Sequence, residues 1–408
     1  MRVIFAGQAG TGKERAIQRI AEYARTKRGW RDDLGRTEHK AHILPIEFEA
    51  EIKRGHGSIT TVLDSFNDQL RAALWHEAFD AINARIARAT PDFVFLSIHL
   101  SLYRHSNYFT FTDWGELRRF SPDAIITVID DIYDVWARIR RTTEEAEDRT
   151  LLTLKELFAW RSVECFFAEQ LSRNLFPDRR VPHFIVAVKH PRETFDRLIF
   201  ERATPRIYAS YPISSTRTLP EAVREINAAR AKLHSEFVVF DPVTIDERIL
   251  QSKVQAATKP QETVEIRLTD RWPLELADCA LDEKADLSPL YPLKLPTNEI
   301  AALGTEIHER WRWQDIDDNI RWRDFALINQ SQGVFAYRPR FGNREPSRGV
   351  TRELNYALDV RVLPCHIYSP NEDGNFDDSP FSPSVVVNTK NLNDAISELK
   401  RKLSKEGA

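Results

Sequence analysis

Cysteine is scarce: Cys165, Cys279 and Cys365 stand far apart in a chain of 408 residues. Their odd number and wide spacing exclude a disulfide framework and a CxxC metal site, and they fit a reducing compartment. Long apolar runs are missing as well. None reaches the roughly 18 to 20 residues that a helix needs to span a bilayer, so no membrane partner is expected. A surplus of one charge is also lacking, since 58 Lys and Arg face 61 Asp and Glu, for a formal charge of −3. Without a basic excess the chain has little with which to neutralise a run of phosphates, and a polynucleotide partner is not favoured. Met1 leads straight into a short apolar stretch with no export-signal pattern, so a cytoplasmic location is expected.

What is present is apolar surface in quantity. Hydrophobic residues make up 42% of the chain and aromatics 10%, enough to bury large cores and to exclude a disordered or collagen-like polymer. The length predicts two or three domains rather than one. Short apolar runs at Val3–Ala6, Phe93–Ile98, Ala124–Ile129 and Phe184–Val188 alternate with helical patterns such as Leu151–Leu175. Strands that alternate with helices predict a parallel, doubly wound sheet. A second series starts near Pro205, where Arg206–Ser214 reads as a strand and turn. A helix with Ala222, Ile226, Ala229 and Leu233 on one face follows, then strands at Phe237–Phe240 and Gly333–Tyr337 and a helix from about Gly349. Between them, 252–297 is rich in proline and charge, has no clear period, and reads as an insertion or lid. An acidic stretch, Asn371–Pro383, precedes Leu392, Ala395, Ile396, Leu399 and Leu403 on one helical stripe, read as a docking helix. The expected division is 1–203, 204–376 and a tail 377–408, with α/β architecture in both domains.

Gly7-Gln8-Ala9-Gly10-Thr11-Gly12-Lys13 fits GxxxxGK directly after a strand and at the opening of a helix. Glycines at that spacing let backbone N–H groups converge on phosphate oxygens, the helix start adds positive potential, and Lys13 reaches the terminal phosphates. ATP or another nucleoside triphosphate is therefore the expected ligand, held by Gly7, Gly10, Thr11, Gly12 and Lys13. The hydroxyl that usually follows the lysine to bind Mg²⁺ is replaced by Glu14, and the strand Phe93–Ile98 ends on Ser97 rather than an acid. A role for Mg²⁺ is thereby put in doubt, unless Asp130 or Asp131 substitutes. His99, His105 and His190 lack the spacing of metal ligands, so no metal site is expected from them.

With this loop, the Ser97-Ile98-His99 strand end, the run SPDAIITVIDDIYDVWARIRR and Arg161 in the next helix, residues 1–200 resemble the adenylate-kinase-like nucleoside monophosphate kinases. The resemblance implies that Arg138, Arg140 and Arg141 clamp phosphates, a role that suits their planar forks. Read without it, the same arginines form a solvated basic face paired with Glu144, Glu145 and Glu147.

The stretch 321–357, RWRDFALINQSQGVFAYRPRFGNREPSRGVTRELNYA, ends a strand in a polar loop and opens a helix at Ser347-Arg348-Gly349, with Glu353 close behind. Ligands of open α/β sheets bind at such strand ends. Ser347 and the free helix N–H groups suit a phosphate, while Glu353 is a carboxylate able to attack or stabilise a sugar cation and Asp324 is a second acid. As bare sequence, Glu353 reads equally well as a helix-start residue and Asp324 as a surface acid. Trp322 reads as a pocket wall at most.

The spacing Ser347, Gly349, Glu353 with Leu354, Tyr356 and Ala357 resembles the nucleoside 2-deoxyribosyltransferase superfamily, closely its 2′-deoxynucleoside 5′-phosphate N-hydrolase branch. That resemblance implies a flavodoxin-like or Rossmann-like second domain and a glutamate nucleophile at C1′, Glu353. It implies further that Ser347 contacts the 5′-phosphate, that Gly349 of the same motif belongs to the substrate-binding residues, that Asp324 positions or protonates the nucleoside and that Tyr208 lines the sugar pocket. The family's glycine-rich first turn is here Tyr211-Pro212-Ile213-Ser214-Ser215, where Ser214 and Ser215 offer hydroxyls instead. Relatives of this kind often complete their pockets across subunits, which leaves a homo-oligomer open. The expected activity is cleavage or exchange of the N-glycosidic bond of a nucleoside 5′-monophosphate, with the first domain binding a nucleotide. Two alternatives stand beside it: a nucleoside monophosphate kinase with a regulatory second domain, and a nucleotide sensor without turnover.

Overall fold

The computed structural model describes residues 1–29, 41–56, 62, 67–104, 106–110, 113–142, 152–256, 262–274, 278–307, 310–338, 347–370 and 386–406. They form two compact units. The first takes Met1–Arg192 together with Cys279–Leu293, and the second takes Glu193–Asp278 together with Lys294–Ala408. The stretch 252–297, expected as an insertion of the second domain, is thus divided, and its middle belongs to the first unit.

The first unit is built on five parallel strands: β1 (Arg2–Ala6), β2 (Ile43–Glu47), β3 (Phe93–Ser97), β4 (Ala124–Ile129) and β5 (His183–Ala187). Their order is β2-β3-β1-β4-β5, so β1 is central and the order reverses at its end. β1 pairs in parallel register with β3 (Val3 opposite Phe95) and with β4 (Val3 opposite Ala124). Every residue of β4 is buried, as a strand covered on both faces requires. β2 is absent from the sequence reading because Pro45 and flanking charges break its apolar run; it sits at the sheet edge, where a missing N–H is tolerated.

Helix α1 (Lys13–Lys27) follows β1, α2 (Asp68–Ala89) precedes β3, α3 (Ile132–Thr142) follows β4, and α4 (Leu154–Asn174) carries a capping box between Thr153 and Glu156. Apolar faces of α2 and α4 close a core around Ile4, Phe79, Leu96 and Ile125.

The second unit repeats the plan with β6 (Arg206–Ser210), β7 (Val238–Phe240), β8 (Gly333–Tyr337), β9 (Cys365–Tyr368) and β10 (Val386–Thr389), all parallel. The order β10-β9-β8-β6-β7 is the 2-1-3-4-5 arrangement of flavodoxin-like doubly wound sheets. Helices α5 (Pro220–Glu236), α6 (Gln314–Asn329), α7 (Arg348–Asn355) and α8 (Leu392–Glu406) cover it. The stripe Ala395, Ile396, Leu399 and Leu403, expected to dock from a separate tail, is buried instead in this unit's own core with Ile207, Phe335 and Tyr337. The acidic stretch Asn371–Pro383 lies outside the described residues. No described helix is long and apolar enough to cross a membrane.

Candidate functional sites

In the second unit, β6, β8 and the elements after them leave a cleft of about 670 Å³ at the carboxyl ends of the strands. That volume lies within the range of small-molecule sites. The cleft brings together Ser214, Ser215, Asp324, Ser347, Gly349 and Glu353, candidates that lie on three separate stretches of the sequence. Trp322 is not part of its wall and is 39% exposed; Phe325 lines the cleft instead and stacks on Tyr356 at 3.9 Å.

Glu353 projects from α7 and accepts a short hydrogen bond from Ser210 at the end of β6. Burial, together with the neighbouring charge of Asp324, pushes its carboxyl up to about 8. Asp324 is itself raised by burial, against the pull of Arg323, which donates to its Oδ1 from Nε (3.1 Å) and Nη2 (2.9 Å). Arg323 is fixed in turn by the Ile245 carbonyl at 3.2 Å and by Glu247 at 3.9 Å. Two carboxyls in one low-dielectric site cannot both ionise freely, so near neutrality the pair holds one proton between them.

Tyr208 is fully buried behind this pair, and its hydroxyl makes no well-formed hydrogen bond among the described residues. Burial and the charges of Asp324 and Glu353 raise its pKa well above the usual 10, so it stays a neutral donor. It does not itself line the cleft.

The mouth is basic. Ser347 caps α7 without giving its side chain to a helix N–H, which leaves the hydroxyl available at the helix start. Arg348 and Arg352, one turn apart on α7, line the cleft, and Arg348 is exposed. The other arginines at the mouth are engaged: Arg248 with Asp317 at 2.9 Å, and Arg321 with Asp318 at 3.5 Å. Sequence reasoning missed Arg323, Arg348 and Arg352. The last two were legible as flanks of the Ser347–Glu353 motif, whereas the role of Arg323 depends on a loop 78 residues away.

In the first unit, the phosphate loop leaves β1 with Gly7, Gly10 and Gly12 all at positive φ (145°, 80° and 78°). Gly7 is obligatory twice over, because a Cβ there would also stand 2.5 Å from the Val128 carbonyl oxygen. The loop is tightly enclosed. Thr11 and Lys13 are 1% exposed, and Gln8 is 2% exposed with neither carboxamide atom hydrogen-bonded among the described residues. An unsatisfied buried amide is costly, and a phosphate ligand or its hydration would relieve it.

Lys13 Nζ lies 2.6 Å from Glu14 and 2.8 Å from His99 Nε2, and Ser97 Oγ donates to Glu14 at 3.1 Å. His99 also meets Glu49, whose carboxyl burial would raise but which His99 and Lys13 hold down to about 2. The lysine is therefore poised in an internal ion network rather than free in a cleft.

The arginines of the family resemblance are placed as follows. Arg138 donates to the Gly10 carbonyl at 2.8 Å and to Asp130 at 2.7 Å, so it ties the loop to the end of β4. Arg140 stacks on Trp136 at 4.0 Å, and Arg141 donates to the Pro289 carbonyl at 2.5 Å. Only the first of these contacts touches the phosphate loop. The glutamates considered as their partners, Glu144, Glu145 and Glu147, lie outside the described residues, as does His105.

The residues present do not fit Mg²⁺. Glu14 stands where a hydroxyl ligand is needed and is committed to Lys13 and Ser97. Asp130, Asp131 and Asp134 do lie together with carboxylate oxygens within 4.8 Å, but Lys189 Nζ sits among them and pairs with all three.

No family model and no curated protein matches this chain. Among solved structures, a shikimate kinase from Bacteroides thetaiotaomicron is similar to it over 46% of this chain and 86% of its own, at 13% sequence identity and a TM-score of 0.27. At that level the likeness carries no argument, and it gives no support to a deoxyribosyltransferase relationship of the second unit. The functional reading rests on the two sites themselves.

Proposed function

We propose that the second unit cleaves or exchanges the N-glycosidic bond of a nucleoside 5′-monophosphate in the Glu353 cleft, and that the first unit binds a nucleotide at its phosphate loop. The observation that carries the reading is the linked Glu353–Asp324 carboxyl pair in a cleft whose mouth presents Ser347, Arg348 and Arg352. In this reading Ser347, Arg348 and Arg352 take the 5′-phosphate, which orients the sugar with C1′ toward the pair.

Attack requires the pair's single proton to sit on Asp324. Glu353 then forms an ester with C1′ while the C1′–N bond breaks and Asp324 protonates the departing base. Water attacks the ester with Asp324 as base, which returns the pair to its starting state; a second base in place of water gives transfer. Ser210 holds the Glu353 carboxylate in its attacking orientation, and Arg323 keeps Asp324 in place.

The test is chromatography for free base after the protein is incubated with a panel of nucleoside and deoxynucleoside monophosphates, with and without ATP. Glu353→Gln should lower base release on the order of 10³-fold or more, the scale on which loss of a catalytic nucleophile is felt. Unchanged release in that variant removes Glu353 from the chemistry. Appearance of a diphosphate that depends on Lys13 would instead favour phosphoryl transfer.

A further inference from the structure

In the first unit a buried lysine fills the centre of the aspartate cluster, the acidic group that could have substituted for the altered metal positions at Glu14 and Ser97. Lys189, two residues past the end of β5, is fully buried, as are Asp130, Asp131 and Asp134 at the end of β4 and the start of α3. Its ammonium donates to Asp130 Oδ1, to Asp131 Oδ2 at 2.6 Å and to Asp134 Oδ2 at 2.6 Å. Other donors crowd the same carboxylates. Asp130 Oδ1 accepts the Asp131 N–H at 2.8 Å, Asp130 Oδ2 accepts Arg138 at 2.7 Å, and Asp134 Oδ1 accepts the Tyr291 hydroxyl at 2.6 Å. At least five of the six carboxylate oxygens therefore accept donors from the protein itself. A Mg²⁺ ion asks for near-octahedral oxygen ligands at about 2.1 Å and cannot share them with an ammonium at the same centre.

We propose that the ammonium of Lys189 occupies the aspartate cluster in place of a divalent cation, so that this unit takes its phosphate ligand without a metal. The inference rests on the reading of the loop as a phosphate site, but the placement of Lys189 does not depend on that reading. Arg138 connects the two, since the same Nη1 that holds Asp130 also holds the Gly10 carbonyl of the loop. Lys189 and Arg138 together offset most of the charge of the three aspartates, so the cluster has no place for a further cation. A protein cation cannot dissociate, so ligand affinity becomes independent of metal concentration.

The experiment is a Mn²⁺ titration of the full chain followed by electron paramagnetic resonance, with Asp131→Asn and Lys189→Ala alongside. Wild type should bind no Mn²⁺ that the Asp131→Asn change removes. Stoichiometric Mn²⁺ on wild type that is lost in Asp131→Asn overturns the proposal.

Lys189→Ala empties the centre of three buried carboxylates and should melt lower than wild type. Added Mn²⁺ should raise its melting temperature by several degrees while leaving wild type unmoved. If that variant does not fold, the wild-type titration decides alone. A further arm compares binding of a fluorescent ATP analogue to wild type in excess EDTA and in Mg²⁺. Equal affinity supports the proposal, and affinity at least tenfold weaker in EDTA overturns it. Failure of the analogue to bind under both conditions counts against the nucleotide reading and leaves the Mn²⁺ result standing.

Discussion

At Glu353 the surroundings reverse the usual behaviour of a carboxylate. Its pKa is raised from the ordinary 4.5 to about 8 by burial and by Asp324. The folded state thus keeps a proton that the unfolded chain releases. Below pH 4.5 both states are protonated and the group is neutral to stability. As pH rises from about 4.5 to 8 the unfolded state holds fewer protons than the folded one, and stability falls across that window. Glu353→Gln removes the effect and should be more stable than wild type above about pH 8, by roughly 1 kcal/mol or more, with no difference at about pH 4. Urea denaturation at the two pH values measures it.

Activity should also fall as pH rises through about 8, because the pair then loses the one proton that Asp324 must deliver to the departing base. The pH profile of kcat for base release reads this directly. Gly7 makes a further prediction at the residue scale. With φ at 145° and the Val128 carbonyl oxygen only 2.5 Å from where a Cβ would stand, Gly7→Ala should lower stability by about 1–3 kcal/mol, seen as a lower urea midpoint. Residue identity alone marks both of these positions, because a GxxxxGK loop and a Ser-x-Gly spacing are local patterns. Lys189 and Arg323 give no such sign. Each acts on partners brought to it by the sheet: Lys189 on residues 55 to 59 positions away, and Arg323 on Ile245.

The elements are legible where their burial is uniform. Ala124–Ile129 and Gly333–Tyr337 are strands with the boundaries that their apolar runs predict, since both lie inside sheets covered on two faces. Two of the four edge strands are not legible. Ile43–Glu47 carries Pro45, and Val386–Thr389 is four residues long; neither has a pattern that separates it from a loop. The helix Leu392–Glu406 announces its amphipathic character in the sequence but not its partner, because a stripe of apolar residues states that it is covered and not by what. Leu399 is fully buried against the unit's sheet, so Leu399→Ala should cost about 2–5 kcal/mol. Base release should survive at temperatures where the variant stays folded. A shift in denaturation midpoint with unchanged kcat in the cold is the expected pair of results; an unshifted midpoint would place the helix outside the core.

At the scale of the molecule, the two units are not two consecutive lengths of chain. Cys279–Leu293 belongs to the first unit although the residues on both sides of it belong to the second. Composition marks that region only as rich in proline and charge, which is why the sequence shows an insertion without showing its destination. Its attachments are specific. Cys279 Sγ donates to the Lys189 carbonyl at 2.9 Å, Asp286 pairs with Arg15 at 2.5 Å and with Arg19, and Tyr291 donates to Asp134 at 2.6 Å. Leu281 lies so close to Gly12 that a Cβ there would stand 3.2 Å from it.

The segment therefore touches the phosphate loop, the first turns of α1 and the buried aspartate cluster together. A fragment ending at Arg192 lacks all of these contacts, and the Asp134 carboxyl loses a donor that it cannot replace inside the protein. Such a fragment should show faster amide exchange than the full chain at Phe5, Ala6 and Ile126–Val128, the strands on which the loop and the cluster are built. Joining 279–293 to it through a flexible linker should restore most of the protection. Equal protection with and without the segment would show that the phosphate-loop unit is stable from residues 1–192 alone, and that the returning segment is a surface feature rather than a structural part of the site.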